Sequence, residues 1–342
     1  MVNQLSVNEF LEKAQSLPVI DVRSPGEYDR AHIPGAVSIP LFNNDERDQV
    51  GTKYKNAGKD AAVLMGLNFV GPKLSDFVKQ SKKLNPQSKE VLVHCWRGGM
   101  RSGSFAWLLD TAGLTVSILT GGYKAYRNTA LSSFAEPLKL IILGGKTGSG
   151  KTDILKELAR QGEQIIDLEG LAHHKGSTYG AIGQLPQPVT EQFENQLFRT
   201  LKPLDANRRI WLEDESRNIG SCFIPMPLWQ QMQVAPVALV NIPKDKRVNR
   251  LVAEYAGIDH NLLVEATERI RKRLGGKVTK DALTALIHQD YATVADLTLD
   301  YYDKAYLHGL SQRDAAQIYP IEIGEDNPTQ TAQQLIKWAD TL

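Results

Sequence analysis

Val91-Leu92-Val93-His94-Cys95-Trp96-Arg97-Gly98-Gly99-Met100-Arg101-Ser102 is the stretch from which the fold of the first half of the chain is read. A short apolar run with the pattern of a buried strand ends at a cysteine, passes two glycines in an arginine-rich bend, and enters an apolar segment, Phe105 to Leu109, that predicts a helix. Backbone N–H groups that turn inward at the start of a helix form a nest for anions, and the same field suits a thiolate nucleophile. The glycines let the backbone approach a ligand closely, and Arg97 and Arg101 bring charge to neutralise an oxyanion. Cys95 is therefore the candidate nucleophile, against the alternative of a packed structural cysteine ahead of a helix.

Working outward, Ser6-Val7-Asn8-Glu9 predicts a capped helix start, and Pro18-Val19-Ile20-Asp21-Val22-Arg23 a short strand ending in an acid and a base. Ser24-Pro25-Gly26-Glu27-Tyr28 turns into a helix, and the segment from His32 to Pro40 reads as a tight turn feeding a second strand. Val91 to Val93 and Val116 to Leu119 supply two more. Strands alternating with helices predict a parallel α/β sheet, whose reactive groups collect at the strands' carboxyl ends, where Asp21, Arg23 and Cys95 fall. From Asn43 to Asn68 strand patterning is poor; a solvated loop with a helix around Asp60 to Leu67 is expected, with a substrate-gating loop as the alternative.

Composition narrows the possibilities. With 342 residues the chain can bury two cores. It carries 40 basic and 39 acidic residues, so a net charge of +1 gives no global pull toward nucleic acid, and a polyanion must be held by a local patch. Two cysteines, Cys95 and Cys222, make a disulfide framework implausible. No apolar run is long enough to cross a bilayer and no leader pattern is seen, so a cytoplasmic protein without membrane attachment is expected.

The ordered set formed by Asp21 to Tyr28, His32-Ile33-Pro34-Gly35-Ala36, the Cys95 loop and Gly121-Gly122-Tyr123 resembles the signature of rhodanese domains. The resemblance implies that Cys95 carries a chalcogen atom as a persulfide-like adduct, with Asp21, Arg23, Arg97 and Arg101 in the catalytic set. Cys95 and Arg101 have the Cys-x5-Arg spacing, one residue longer than the usual sulfurtransferase loop and equal to that of rhodanese-related phosphatases. A wider loop suits a tetrahedral, phosphate-sized donor, which leaves a phosphatase and a transferase with a phosphate-bearing donor open.

The second half begins with Leu138-Lys139-Leu140-Ile141-Ile142-Leu143, a buried strand that empties into Gly144-Gly145-Lys146-Thr147-Gly148-Ser149-Gly150-Lys151-Thr152 and then a helix from Ile154. Gly145 to Thr152 fits the P-loop pattern G-x-x-x-x-G-K-[ST] in its strand-to-helix setting. Gly145, Gly148, Ser149 and Gly150 offer backbone N–H groups to a diphosphate, Lys151 reaches its outer oxygens, and Thr152 can hold a magnesium ion. The loop reads phosphates, not what hangs from them.

Gln164 to Glu169 and Arg209 to Arg217 are further strand-then-acid patterns. Asp167 or Asp214 is read either as a base or metal ligand, or as the group that orients His173 or Arg217. The loop from His173 to Gly180 is expected to contact substrate; it lacks a zinc set. Cys222 is expected to be packed. From Lys244 to Lys280 ten basic residues face five acidic ones, and Arg269, Arg271, Lys272 and Arg273 could track an RNA backbone, unless they simply solvate a mixed-charge helix. A strand from Ile318 to Ile323 and a helix from Thr331 to Thr341 close the chain.

The expected architecture is thus α/β: a rhodanese-like parallel-sheet domain, 1–136, followed by a P-loop NTPase-like α/β domain with a C-terminal helical extension, 137–342. That order, with the segments Asp167 to His173 and Trp211 to Arg217, resembles the tRNA 2-selenouridine synthase family over nearly the whole chain. The resemblance implies an enzyme that converts wobble 2-thiouridine in tRNA to 2-selenouridine through a geranylated intermediate. Its co-substrates are geranyl diphosphate and selenophosphate, the latter from a selenophosphate-producing partner enzyme. The alternatives are a Cys-dependent phosphatase fused to a kinase-like module, an ATP-driven tRNA sulfurtransferase, and a nucleotide-gated binding protein whose rhodanese half only docks.

Overall fold

The computed structural model describes residues 2–177 and 179–342. Thr178, in the loop expected to contact substrate, lies outside them. The chain divides into two compact units at Ser133 and Phe134, slightly ahead of the boundary read at Glu136.

In the first unit, strands β1 (Asn3–Leu5), β2 (Val19–Asp21), β3 (Val37–Ser38), β4 (Glu90–His94) and β5 (Thr115–Leu119) form one sheet in the order β1-β5-β4-β2-β3. Every pairing is parallel. Val91, Leu92 and Val93 are fully buried because helices cover both faces, which explains why β4 reads as an unbroken apolar run instead of an alternating one. β2 pairs with β4 through Asp21 and His94, and the strand order reverses between them. A crevice therefore opens at their carboxyl ends, where ligands of open α/β sheets bind. Capping boxes start the helices Val7–Lys13 (Ser6 with Glu9) and Pro25–Arg30 (Ser24 with Glu27), as their sequences foretell.

One expectation fails in this unit. Residues 43–59 are no solvated loop: a helix spans Asn44–Val70, started by an Asn43–Glu46 capping box and interrupted at Gly58, whose φ of 82° and ψ of −179° only glycine adopts readily. Only Ala62 and Gly66 of this helix are buried, so it lacks the continuous apolar stripe that periodicity detects.

The second unit holds β6 (Leu140–Gly145), β7 (Gln164–Ile166), β8 (Ile210–Glu213), a small hairpin of β9 (Asn218–Ile219) and β10 (Cys222–Phe223), β11 (Val237–Asn241) and β12 (Ile318–Glu322). Its main sheet has the order β12-β11-β6-β8-β7 and is parallel throughout. The first strand, β6, thus lies at the centre and delivers the P-loop between β8 and β11.

The helices Lys244–Tyr255, His260–Arg269, Gly276–Ile287 and Tyr291–Leu310 share an apolar cluster of their own around Leu263, Leu286 and Leu299. They are an insertion, not the C-terminal extension expected. After them the chain returns, pairs β12 with β11 along five residues and packs the helix Pro328–Ala339 on the sheet through Ala332 and Leu335. Among the described residues no helix is long and apolar enough to cross a membrane.

Candidate functional site

In the first unit, the chain after β4 and the chain after β5 build a cradle together. Cys95 accepts the backbone N–H of Tyr123 at its carbonyl (2.8 Å), and Trp96 accepts that of Lys124 (3.0 Å). The approach demands glycine: a Cβ on Gly122 (φ 60°) would lie 2.3 Å from the Cys95 carbonyl oxygen and 2.5 Å from the Gly98 nitrogen. One on Gly98 (φ 64°) would strike the Leu119 carbonyl at 2.6 Å. Cys95 is buried, and its Sγ lies 3.2 Å from Ser102 Oγ at the head of the helix Met100–Thr111. Ser102, unassigned from sequence, is thus the nearest hydroxyl to the sulfur.

Asp21 and Arg23 are brought beside this loop, but as its foundation. Arg23 is buried and donates from Nε (2.9 Å) and Nη2 (2.6 Å) to Asp21 Oδ2 and from Nη2 to the Ala31 carbonyl (2.8 Å), with its guanidinium 3.9 Å from the centre of the Tyr123 ring. A guanidinium so enclosed has no free face for substrate, which corrects the catalytic role expected of this pair: they position the cradle. Burial works against the Asp21 carboxylate, and His94 and Arg23 overcome it, leaving its pKa below the ordinary value.

The two loop arginines differ. Arg101 donates to Glu27 (2.7 Å from Nη1), so its charge is shared with a carboxylate. Arg97 is exposed and makes no side-chain hydrogen bond or ion pair among the described residues, so it alone is unencumbered to meet an oxyanion.

In the second unit, the P-loop follows β6 with Gly148 and Gly150 at positive φ. Lys151 Nζ donates to the Gly145 carbonyl (3.1 Å), and Thr152 Oγ1 donates to Glu169 Oε2 (3.2 Å). Arg247, buried, donates to the Thr147 carbonyl (3.1 Å) and forks onto Asp303 (2.8 Å), while Arg250 pairs with Asp153 and Asp326. The inserted helices thereby brace the loop from behind.

The carboxylates around it are not those singled out in the sequence. Asp214 accepts hydrogen bonds from Arg313 Nη2 (2.8 Å) and Tyr306 Oη (2.9 Å), and that same Tyr306 oxygen accepts the Gly145 N–H (2.9 Å). An aspartate so held is an anchor, not a base or metal ligand. Asp167 caps its own short helix by accepting the Gly170 N–H (2.6 Å). His173 Nδ1 is spent on the Pro186 carbonyl (2.9 Å), and Arg217 sits near the Phe223 ring (5.8 Å) with no ion pair among the described residues.

Glu169, Glu213 and Glu215 are the carboxyls set about the loop: Glu169 accepts the Thr152 hydroxyl, and the Lys151 charge acts on Glu215. One Glu213 oxygen accepts the Leu168 N–H (3.1 Å), and the other is buried without a partner. Burial, then the charges of Asp167 and Glu169, push the Glu213 pKa well up. Burial and Glu169 raise Glu215 likewise, with Lys151 opposing. Among the described residues no three His, Cys, Asp or Glu side chains converge on one metal position.

Cys222 is packed as expected: buried, its thiol 3.3 Å from the Pro188 carbonyl, its pKa pushed up to about 11 by burial. Arg269, Arg271, Lys272 and Arg273 lie exposed at the turn between two inserted helices, with Arg269 and Arg271 paired to Glu265 (3.6 Å) and Glu268 (2.8 Å).

A cysteine cradled at the switch point of a parallel sheet, followed by a glycine loop on a second sheet, defines a rhodanese-like domain joined to a P-loop domain. Residues 5–129 match the rhodanese-like domain family and residues 138–267 the tRNA 2-selenouridine synthase AAA domain. The tRNA 2-selenouridine synthase of Bordetella petrii is 33% identical over 332 residues, 86% of this chain and 87% of that protein. That of Sulfurovum sp. NBC37-1 is 34% identical over 336 residues, 88% of this chain and 90% of that protein. The Serratia proteamaculans enzyme of the same name is 42% identical over 247 residues, which span 70% of this chain and 65% of that protein. The chain belongs to the tRNA 2-selenouridine synthase family.

Proposed function

We propose that this protein converts 2-thiouridine at the wobble position of tRNA to 2-selenouridine in two steps, with geranyl diphosphate and selenophosphate as co-substrates. The observation that carries the reading is a buried cysteine in a glycine-braced loop on the same chain as a complete P-loop, in a chain of this family. Thiocarbonyl sulfur leaves poorly. Alkylation makes C2 of the base more electrophilic and turns the sulfur into a departing thiol.

In the first step the thione sulfur bonds to the geranyl carbon while its bond to the diphosphate oxygen breaks. The P-loop amides and Lys151 stabilise the charge that gathers on the diphosphate. Thr152 and Glu169 would hold a magnesium ion on that diphosphate, which adds charge neutralisation. In the second step the Cys95 sulfur bonds to the selenium of selenophosphate as the P–Se bond breaks and phosphite leaves, with Arg97 meeting the donor's oxyanions. The Cys95-bound selenide then bonds to C2 as geranyl thiol departs, and a thiol reductant cleaves the S–Se bond, which frees 2-selenouridine and restores Cys95 while the reductant becomes a disulfide. The exposed run Arg269, Arg271, Lys272 and Arg273 supplies phosphate contacts for tRNA.

The test is a nucleoside mass analysis of 2-thiouridine tRNA incubated with geranyl diphosphate and then selenophosphate. Cys95→Ala should accumulate the geranylated nucleoside, and Lys151→Ala should abolish it. Normal geranylation by Lys151→Ala would remove the P-loop from the first step.

A further inference from the structure

A cavity of the first unit lies between the helix Asn44–Val70 and the helix that carries the Cys95 loop's arginine, Met100–Thr111. Its volume is about 730 Å³, within the ~300–1,000 Å³ span of small-molecule sites. The floor is apolar and buried, with Phe42 and Phe105, and the walls rise through Tyr54, Leu67, Met100 and Trp107, each more than half exposed. Large apolar side chains so grouped on a water-facing surface mark a binding groove, because singly scattered ones need no partner and a cluster does.

The charges at the rim have one sign. Arg47, Lys59 and Arg101 line the cavity, and no aspartate or glutamate does. Arg101 and Arg47 are partly answered by Glu27 and Asp48, and Lys59 has no ion pair among the described residues. An apolar slot with a cationic rim complements a ligand that is greasy at one end and anionic at the other. The slot is continuous with the nucleophile's own loop, since Met100 and Arg101 belong to both.

We propose that this cavity holds the isoprenyl chain carried on the sulfur of the modified base during the selenium step, with the RNA phosphates against the cationic rim. The inference rests on the geranylated intermediate of the preceding section. On it, the rhodanese-like unit recognises the leaving group as well as supplying the nucleophile, and seating the chain brings C2 toward Cys95. It also explains discrimination: a base whose sulfur is still bare gains nothing from the slot, so Cys95 meets only activated substrate.

The experiment measures binding of the full chain to two anticodon stem-loop RNAs, one with S-geranyl-2-thiouridine and one with S-methyl-2-thiouridine at the wobble position. The wild type should prefer the geranyl RNA by at least about tenfold, since affinity grows with each buried methylene. Leu67→Glu, a charge at a position already exposed, and Val63→Trp, which fills the slot, should each bring that ratio near one while leaving affinity for the methyl RNA. A wild type without the preference, or variants that keep it, overturns the assignment. So does a dimer that Leu67→Glu dissociates, which would give the face to a second copy. These outcomes differ from failure of the two-step reading itself, which shows as absence of geranylated nucleoside from wild-type enzyme.

Discussion

At the scale of single residues, the cradle depends on buried titratable groups, and this gives it a pH signature. Burial pushes His94 below the usual imidazole value despite the nearby Asp21 charge. Below about pH 6.5 the unfolded chain binds a proton at this ring more readily than the folded one, so stability falls as pH drops through this range. For Asp21 and Glu27 burial raises the pKa, and their partners, His94 with Arg23 and Arg101 respectively, bring it below normal. Their contribution is complete above about pH 4 and disappears as pH falls through the carboxylate range. Melting of the first unit, followed by circular dichroism, should therefore weaken in two stages on acidification. In Glu27→Gln the second stage should shrink, and an unchanged acid limb would contradict the assignment. Cys95 and its glycines were legible in the sequence because a glycine pair after a cysteine is a local signal. The phosphate-site carboxylates were misread for a geometric reason: along an extended strand end, Glu213 and Glu215 share one side and Asp214 takes the other. Counting that alternation would have separated them.

At the scale of elements, the P-loop is tied to a helix far along the chain. Tyr306, on the helix Tyr291–Leu310, joins Gly145 at the loop's start to Asp214, which Arg313 holds in turn. Tyr306→Phe removes two hydrogen bonds worth about 0.5–1.5 kcal/mol each. Pyrophosphate affinity measured by calorimetry should fall about three- to tenfold, and equal affinity in the two proteins would show that the helix does not hold the loop. No short-range pattern announces this contact, because Gly145 and Tyr306 are distant in sequence and a tyrosine on a helix reads as core. The helix Asn44–Val70 was hidden for a related reason. Its capping residues Asn43 and Glu46 were visible, yet its apolar positions face a cavity and solvent, so they fall on no buried stripe.

At the scale of the whole molecule, two parallel sheets follow one another, each ending its key strand in a glycine-rich loop that offers backbone amides. The order of these loops was readable because each is contiguous; the insertion of the helices between β11 and β12 was not, since only strand pairing reveals that the last strand rejoins the sheet. One chain with two glycine-rich loops suits the proposed reaction, in which one donor would leave a diphosphate and the other would be selenophosphate. The most direct test is peptide mass spectrometry of the full chain after exposure to selenophosphate alone. Selenium on the Cys95 peptide, absent from Cys95→Ala and from the peptide of buried Cys222, is the predicted result. An unmodified Cys95, or selenium on Cys222 instead, would contradict it.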